Sequence, residues 1–305
     1  MAKKPQLSII ILSYNTKKLT LDCLKSIYQH SYDLNFEVIV LDNASTDGSV
    51  PALKKFVAGK DNCRLIAEKK NWGFAQGNNL AAKKARGDYL VFLNSDTIIN
   101  TGVLPYSLSW FSSHPQTGVY SCRLQNADQT TQPSGGYFPT LGRLFAWQFF
   151  IDDLPLVRRF FKSIHPYSNH PLYSRLASLD WVTGAYMVIP QKVFKQVKGF
   201  DKNIFLYVEE LELCYRIKQA DYQVIYDPTH SITHLGGGSG GSVNALVSEI
   251  KNTIYFFSKH KPSWQLPLVR LIFFFGSLLR FIIFGIIGHD ETARQAYRQG
   301  LKVFA

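Results

Sequence analysis

The sequence predicts an α/β domain built on a mixed, mostly parallel sheet with helices on both faces, followed by a hydrophobic and basic C-terminal helical segment. Three observations carry this reading. Short apolar runs alternate with stretches whose apolar residues recur at helical spacing. The chain has 305 residues, 46% hydrophobic and only 18% charged, enough to bury a large core. Polar residues gather just after the apolar runs, where open parallel sheets bind ligands.

The elements follow in order. Leu7–Leu12 is a continuous isoleucine-rich run, the pattern of a strand buried on both faces. Leu19, Cys23, Leu24, Ile27 and Tyr28 then keep helical spacing. A second strand, Phe36–Leu41, ends at Asp42; a short helix over Val50–Val57 leads to a third strand at Cys63–Ala67. A helix from Gly73 to Ala85 precedes the strand Tyr89–Leu93, and Gly118–Arg123 adds one more. This alternation calls for parallel crossovers. Between 124 and 179 the pattern loosens around Gly135-Gly136, several prolines and the bulky run Phe145–Phe150, and reads as an insertion with short helices of its own. Regular structure resumes at Trp181–Ile189 and in a helix from Glu209 to Ala220; the Gly-rich loop Gly236–Gly241 precedes a helix ending near Lys259. The first domain is therefore expected over 1–260 and the C-terminal segment over 261–305.

Charge and cysteine usage narrow the class. Lys plus Arg number 34 against 22 acidic residues, a formal +12, which favours phosphate-rich partners. Nucleic acid is disfavoured, because no reader motif occurs and the cations are dispersed, with a concentration beside the apolar tail. Cys23, Cys63, Cys122 and Cys214 lie far apart, against a disulfide framework or zinc ribbon and consistent with a reducing cytosol. The apolar run behind Met1-Ala2-Lys3-Lys4-Pro5 is too short for a signal-peptide core.

Leu266–Gly288 is almost wholly apolar but interrupted by Arg270 and Arg280. It is long enough to span a bilayer, yet Arg280 would then sit in hydrocarbon at a cost of roughly 2.5–3.5 kcal/mol. An in-plane membrane helix or hairpin, a span and an ordinary packing helix all fit the pattern. Arg270 and Arg280 lie within about 80° of each other on a helical wheel, and Lys259, Lys261, Arg294, Arg298 and Lys302 flank the segment where lipid phosphates would be met. The expected location is cytoplasmic, peripheral or monotopic at the inner face of the cell membrane.

The candidate site is assembled from strand ends. Ser13-Tyr14-Asn15-Thr16 follows the first strand without a glycine, so the dinucleotide fingerprint is missing, and no P-loop occurs. The second strand delivers Asp42–Ser49, where Asp42 can accept hydrogen bonds from a base or ribose and Asp47 or Ser49 can cap the next helix. Asn71–Asn79 places Gly73, Gly77, Asn71 and Asn78 at a helix start, suited to close ligand approach and to phosphate, or else to tight helix–sheet packing. The fourth strand ends in Asn94-Ser95-Asp96, whose carboxylate can hold Mg²⁺ or Mn²⁺. Each element alone is a common turn former.

Taken together, Ser8–Asn15, Asp42–Ser49, Asn71–Asn79, Asn94-Ser95-Asp96, Thr183-Gly184-Ala185, Gly199-Phe200-Asp201, Glu209–Arg216 and His234 resemble the family 2 inverting glycosyltransferases of the GT-A fold, over about residues 7–260 and most closely the rhamnosyltransferase-like branch. The resemblance implies transfer of a sugar from a nucleoside-diphosphate donor to a hydroxyl of a glycan or polyprenyl-diphosphate-linked acceptor. It implies nucleotide-sugar contacts from Ser13, Asn15, Asp42, Asn71, Gly73, Gly77, Asn78, Asn94, Ser95 and Gly184, and a divalent Mg or Mn cation at Asp96 and His234. Asn94 replaces the first Asp of the family's D-x-D motif, which weakens that residue's carry-over. Glu210 stands where the family carries its catalytic Asp and would take the proton of the acceptor hydroxyl. Its extra methylene requires a compensating backbone or help from Glu209. As an acidic helix start the same residues would merely favour the N-terminal dipole, with Glu212–Arg216 an i,i+4 pair. A processive synthase is disfavoured because no Q-x-x-R-W motif and no series of spans is found. The alternative from another class is a non-catalytic membrane scaffold built on a degenerate transferase domain.

Overall fold

The computed structural model describes residues 4–31, 33–236 and 242–304. In chain order the elements are β1 (Leu7–Ser13), α1 (Lys17–His30), β2 (Phe36–Asp42), α2 (Ser49–Val57), β3 (Cys63–Ala67), α3 (Gly73–Ala82), β4 (Tyr89–Asn94), β5 (Thr97–Ile99), α4 (Val103–Ser113), β6 (Thr117–Gln125), β7 (Thr131–Gln132), β8 (Gly135–Gly136), α5 (Leu141–Gln148), β9 (Ala177–Leu179), β10 (Trp181–Val182), β11 (Tyr186–Pro190), α6 (Gln191–Gln196), α7 (Glu209–Gln219), β12 (Gln223–His234), α8 (Ser242–His260), α9 (Gln265–Arg280) and α10 (Glu291–Leu301).

The chain packs as two units: Met1–Gly135 with Ser168–Phe205 and Glu209–Ser239, and Gly136–Tyr167 with Leu206–Val208 and Gly240–Ala305. The first contains the sheet, in the order β3-β2-β1-β4-β11-β6-β12-β5. β3, β2, β1 and β4 are parallel neighbours, and β11 enters antiparallel beside β4. Because the chain winds outward from β1 to β3 and returns to β4 on the other side, a crevice opens at the carboxyl ends of β1 and β4, the place where such sheets take ligands. Ile9, Ile10 and Ile11 of β1, Val38 to Leu41 of β2 and Leu90 to Phe92 of β4 are all fully buried, so both faces are covered, as the unbroken apolar runs require.

Sequence patterning gave no sign of β12. Pro228 interrupts it, and its register against β6 shifts between Asp227 and Ser231, so the alternation that would mark a strand is broken at a bulge. Beyond the bulge β12 pairs antiparallel with β5, setting His234 opposite Thr97. The Trp181–Ile189 stretch is likewise two strands, β10 and β11, with Gly184 between them.

The second unit joins segments far apart in sequence. The insertion's α5 packs with α9, and α8, read above as the last helix of the first domain, packs with α10. Arg280 is not set against hydrocarbon: it is buried, and its guanidinium donates to the Gln148 carbonyl and, at 2.6 Å, to the Trp147 carbonyl. Those carbonyls end α5, where a cation is favoured by the helix dipole and by unsatisfied acceptors. Val269, Phe273, Gly276, Ser277 and Arg280 form the buried stripe of α9, while Leu268, Leu271, Phe274 and Phe275 face outward. Gly276 permits the approach, since a Cβ there would lie 2.4 Å from Gln148 Oε1. Gln265–Ile287 is long and apolar enough to cross a membrane by length and composition.

Candidate active site

The site residues lie at the carboxyl ends of β1, β2 and β4 and on the segments that pack over them. Ser13 is buried at the end of β1; its hydroxyl meets Thr20 at 3.0 Å and Thr16 at 3.4 Å, and its carbonyl accepts from Asn43 N–H. Thr16 Oγ1 reaches Ser95 Oγ at 3.1 Å, tying the loop after β1 to the one after β4. Asn15 adopts φ +53, a left-handed position that Asn tolerates. Its Oδ1 accepts from Thr46 N–H at 2.7 Å and its own N–H donates to Ser45 Oγ, so Asn15 holds the β2 loop. Asp47 does the same from the other side, accepting from Lys17 N–H and Ser49 N–H, the first N–H of α1 and of α2. Burial would raise the Asp47 carboxyl, but these bonds and that of the Ser49 hydroxyl outweigh it and lower the pKa.

Asp42 is wholly buried. Its Oδ1 accepts from Ser45 N–H at 2.9 Å, while Oδ2 has no hydrogen-bond partner. A buried carboxylate oxygen without a donor is costly unless something supplies one. Beside it, Asn43 accepts from Trp72 N–H and donates to Asn71 Oδ1 at 2.8 Å, and Asn71 Oδ1 also accepts from Gly73 N–H. Asn71 is thus fixed by its neighbour Asn43.

The glycines are explained by packing. Gly73 sits at φ +75, and a Cβ there would lie 2.4 Å from the Phe205 carbonyl. Gly77 lets α3 approach β1, since a Cβ would lie 2.6 Å from Leu12 Cδ1, and Gly184 makes room for the Phe74 ring at 2.9 Å. Asn78 is buried and donates to the Phe74 carbonyl one turn back in α3.

Asp96 and His234 converge. The pairing of β5 with β12 brings His234 Nε2 to 3.3 Å from Asp96 Oδ1 and 3.4 Å from Asn94 Nδ2. Two ligands of one octahedral ion at about 2.1 Å each, set at a right angle, would be about 3 Å apart, so the pair fits adjacent positions on Mg²⁺ or Mn²⁺. Among the described residues no group of three or more His, Cys, Asp and Glu side chains is placed to hold a metal. The remaining positions would fall to water or diphosphate oxygens, the habit of Mg²⁺. His234 Nδ1 lies 2.7 Å from Gln132 Oε1, a residue that sequence reasoning missed. A single Gln in a turn-rich stretch carries no pattern that would have singled it out.

Glu209 and Glu210 open α7, with Glu212 in the same first turn. Glu212 is fully buried and paired with Arg216, which accepts no proton and donates Nε at 2.9 Å to both carboxylate oxygens. The same guanidinium donates to the Val197 carbonyl and, at 2.7 Å, to the Gly199 carbonyl. Gly199, at φ +70, is held in turn by Asn79, whose amide bonds both the N–H and the carbonyl of Phe200. The Glu212–Arg216 pair is therefore a clamp fixing α7 and, with it, the direction of Glu209 and Glu210. Glu209 is buried and its carboxyl is pushed well above the usual carboxylate range, by desolvation first and by the Glu210 charge second. Glu210 is only half-buried. Burial raises the Cys23 and Cys214 thiols to about 12, so neither is a nucleophile. The glycine-rich run at 237–241 lies outside the described residues.

The profile of glycosyl transferase family 2 matches residues 8–177. The chain is 26% identical over 249 residues to the N-acetylglucosaminyl-diphospho-decaprenol L-rhamnosyltransferase of Mycobacterium tuberculosis, covering 76% of this chain and 78% of the relative. It is 24% identical over 263 residues to the Escherichia coli rhamnosyltransferase WbbL, covering 83% and 93%. Among solved structures, the mannosyltransferase PcManGT from Pyrobaculum calidifontis, in complex with GDP-Man and Mn²⁺, superposes with a TM-score of 0.60 at 18% identity, over 99% of this chain and 87% of that one. That likeness gives the chain the GT-A fold.

Proposed function

The chain belongs to glycosyl transferase family 2 and is a glycosyltransferase, and from that premise we propose that it moves a rhamnose-type sugar, with inversion, from a nucleoside diphosphate to a hydroxyl of a lipid-linked glycan acceptor. The convergence of Asp96 and His234 at 3.3 Å beside the strand ends is the observation that carries this reading. The two rhamnosyltransferase relatives support the sugar, and the decaprenol-diphosphate acceptor of the mycobacterial one supports the lipid link.

In this mechanism Asp42 accepts hydrogen bonds from the base or ribose through its unpartnered Oδ2, held by the Asn15, Ser45 and Asp47 scaffold. Ser13, Asn71, Gly73, Gly77, Asn78, Asn94, Ser95 and Gly184 shape the donor cradle around it, the glycines by letting the backbone close up. A divalent cation, Mg²⁺ or Mn²⁺, held by Asp96 and His234 would offset the charge of the departing diphosphate. Glu210 takes the acceptor proton as the hydroxyl oxygen bonds to the anomeric carbon and the carbon–oxygen bond to the diphosphate breaks. Glu209, whose carboxyl burial pushes well above the usual carboxylate range, lies beside it on the same turn.

The second unit supports presentation of the acceptor at a membrane. Its α9 is apolar on both sides: Val269 and Phe273 are buried with Ser277 and Arg280, and Leu268, Leu271, Phe274 and Phe275 still point outward. Exposed Leu156 and Phe160 of the insertion, beside Arg158 and Arg159, extend the apolar and basic character. A peripheral or monotopic place on the cytoplasmic leaflet follows. The test is release of nucleoside diphosphate from a donor panel by the full chain in detergent with Mn²⁺, followed by the anomeric configuration of the product. One donor should react, with inverted configuration, and Asp96→Ala should lose at least about 10²-fold in turnover. Retention of configuration, or turnover indifferent to Asp96, would contradict the reading.

A further inference from the structure

We infer that Gln132 is a positioning residue that fixes the His234 ring with its proton on Nδ1 and its Nε2 lone pair toward Asp96, and that the β6–β7 hairpin is built to hold Gln132 in that orientation. The inference rests on the metal role proposed for Asp96 and His234.

The direction of each bond follows from one carboxylate. Asp128 Oδ1, ionised, can only accept, so the Thr130 hydroxyl donates to it at 2.6 Å. With its proton committed, Thr130 Oγ1 can only accept from Asn126 Nδ2, 2.9 Å away. That turns Asn126 Oδ1 toward Gln132, whose Nε2 donates to it at 2.7 Å and also faces the His234 carbonyl at 3.4 Å. Gln132 Oε1 is then the atom 2.7 Å from His234 Nδ1, and an acceptor at that distance requires the proton on Nδ1. In the neutral ring Nε2 is then the nitrogen with the lone pair, 3.3 Å from Asp96 Oδ1. Two acceptors then face each other at that distance and repel unless a proton or a metal cation lies between them, and the orientation that the hairpin imposes is the one a metal ligand needs. The turn itself is closed by Asn126 N–H to the Thr130 carbonyl and Gln129 N–H to the Asn126 carbonyl, both at 2.9 Å, which hold the relay residues across from one another.

Losing such an outer partner typically weakens a metal site about 10- to 100-fold. The full chain, metal-free and ¹⁵N-labelled at histidine, should show His234 as the Nδ1–H tautomer, and Mn²⁺ alone should bind in a manner lost in Asp96→Ala. Gln132→Ala should weaken Mn²⁺ about 10- to 100-fold and release the tautomer, whereas Gln132→Glu, which keeps an acceptor at Nδ1, should hold both within about threefold of the parent. Asn126→Ala, which leaves Gln132 in place but frees its amide to turn, should give a smaller loss and keeps the test open if Gln132→Ala fails to fold. Unchanged Mn²⁺ affinity and tautomer in Gln132→Ala, or an Nε2–H tautomer in the parent chain, would overturn the inference. Mn²⁺ binding indifferent to Asp96 would instead sink the proposed metal site, and the tautomer comparison would still decide the role of Gln132.

Discussion

Strand β2 carries a buried carboxylate at each end, and the two are treated differently. Glu37, at its start, has every need met: Oε1 accepts from Ser8 Oγ at 2.7 Å and Arg86 N–H at 2.6 Å, and Oε2 from Arg86 Nε at 3.0 Å and from Arg64. Asp42, at its end, has one oxygen bonded and one without a donor. Both are almost completely buried, so burial does not distinguish them. What distinguishes them is satisfaction: Glu37 has its donors inside the chain, and Asp42 Oδ2 is left open, as the ligand role proposed for it needs. The same contrast separates Glu212, locked to Arg216, from Glu209 on the same helix turn, whose Oε2 has no hydrogen-bond partner.

The comparison can be broken by substitution. Asp42→Asn should raise KM for the donor by about 30-fold, roughly 2 kcal/mol, while thermal stability moves by less than about 1 kcal/mol. Steady-state kinetics and melting curves on one preparation would check this. Glu37→Gln should do the reverse, leaving turnover alone and lowering stability by about 1–2 kcal/mol as the charge-assisted bonds weaken. Its pH dependence has a definite sign. Burial acts to raise the Glu37 carboxyl, but the bonds from Ser8 and Arg86 and the Arg64 charge outweigh it and lower the pKa below 4.5. The resulting stability is present above the unfolded value and is lost as pH falls through the folded one. Parent and variant melting temperatures should therefore converge toward the acid end.

Glu209 sharpens the contrast with the opposite sign. Its folded pKa is raised above 4.5, so it favours the fold fully only below the unfolded value and does so less as pH climbs through the folded one. Glu209→Gln, a mimic of the protonated form, should raise stability near neutral pH by about 1 kcal/mol, a gain that fades toward pH 4, and should retain most activity. Denaturation at pH 4 and pH 8 would measure it.

How far the sequence could be read depends on which forces left a local trace. β1, β2 and β4 were legible because strands buried on both faces need unbroken apolar runs, and Asp42 and Asp96 stand out by following them. β12 was hidden by Pro228 and its bulge, although it delivers His234 to Asp96. Pairing of the insertion's α5 with α9 joins residues more than a hundred positions apart, and no window of sequence records it. Arg280 looked like an obstacle in an apolar helix because its acceptors, the Trp147 and Gln148 carbonyls, belong to that distant segment. Gly77 and Gly184 drew attention as ligand glycines, yet Leu12 and Phe74 account for them. Gln132 was invisible because orientation of a ring is a property of a hydrogen-bond chain, not of a residue type.

The most direct test of the account is turnover by Glu210→Gln, measured as nucleoside-diphosphate release with Mn²⁺ and the selected donor and acceptor, beside Glu209→Gln. The account predicts a loss of about 10²- to 10⁴-fold in Glu210→Gln at an unchanged melting temperature, with Glu209→Gln close to the parent. Near-parent turnover in Glu210→Gln, or a dead Glu209→Gln that still folds, would contradict it.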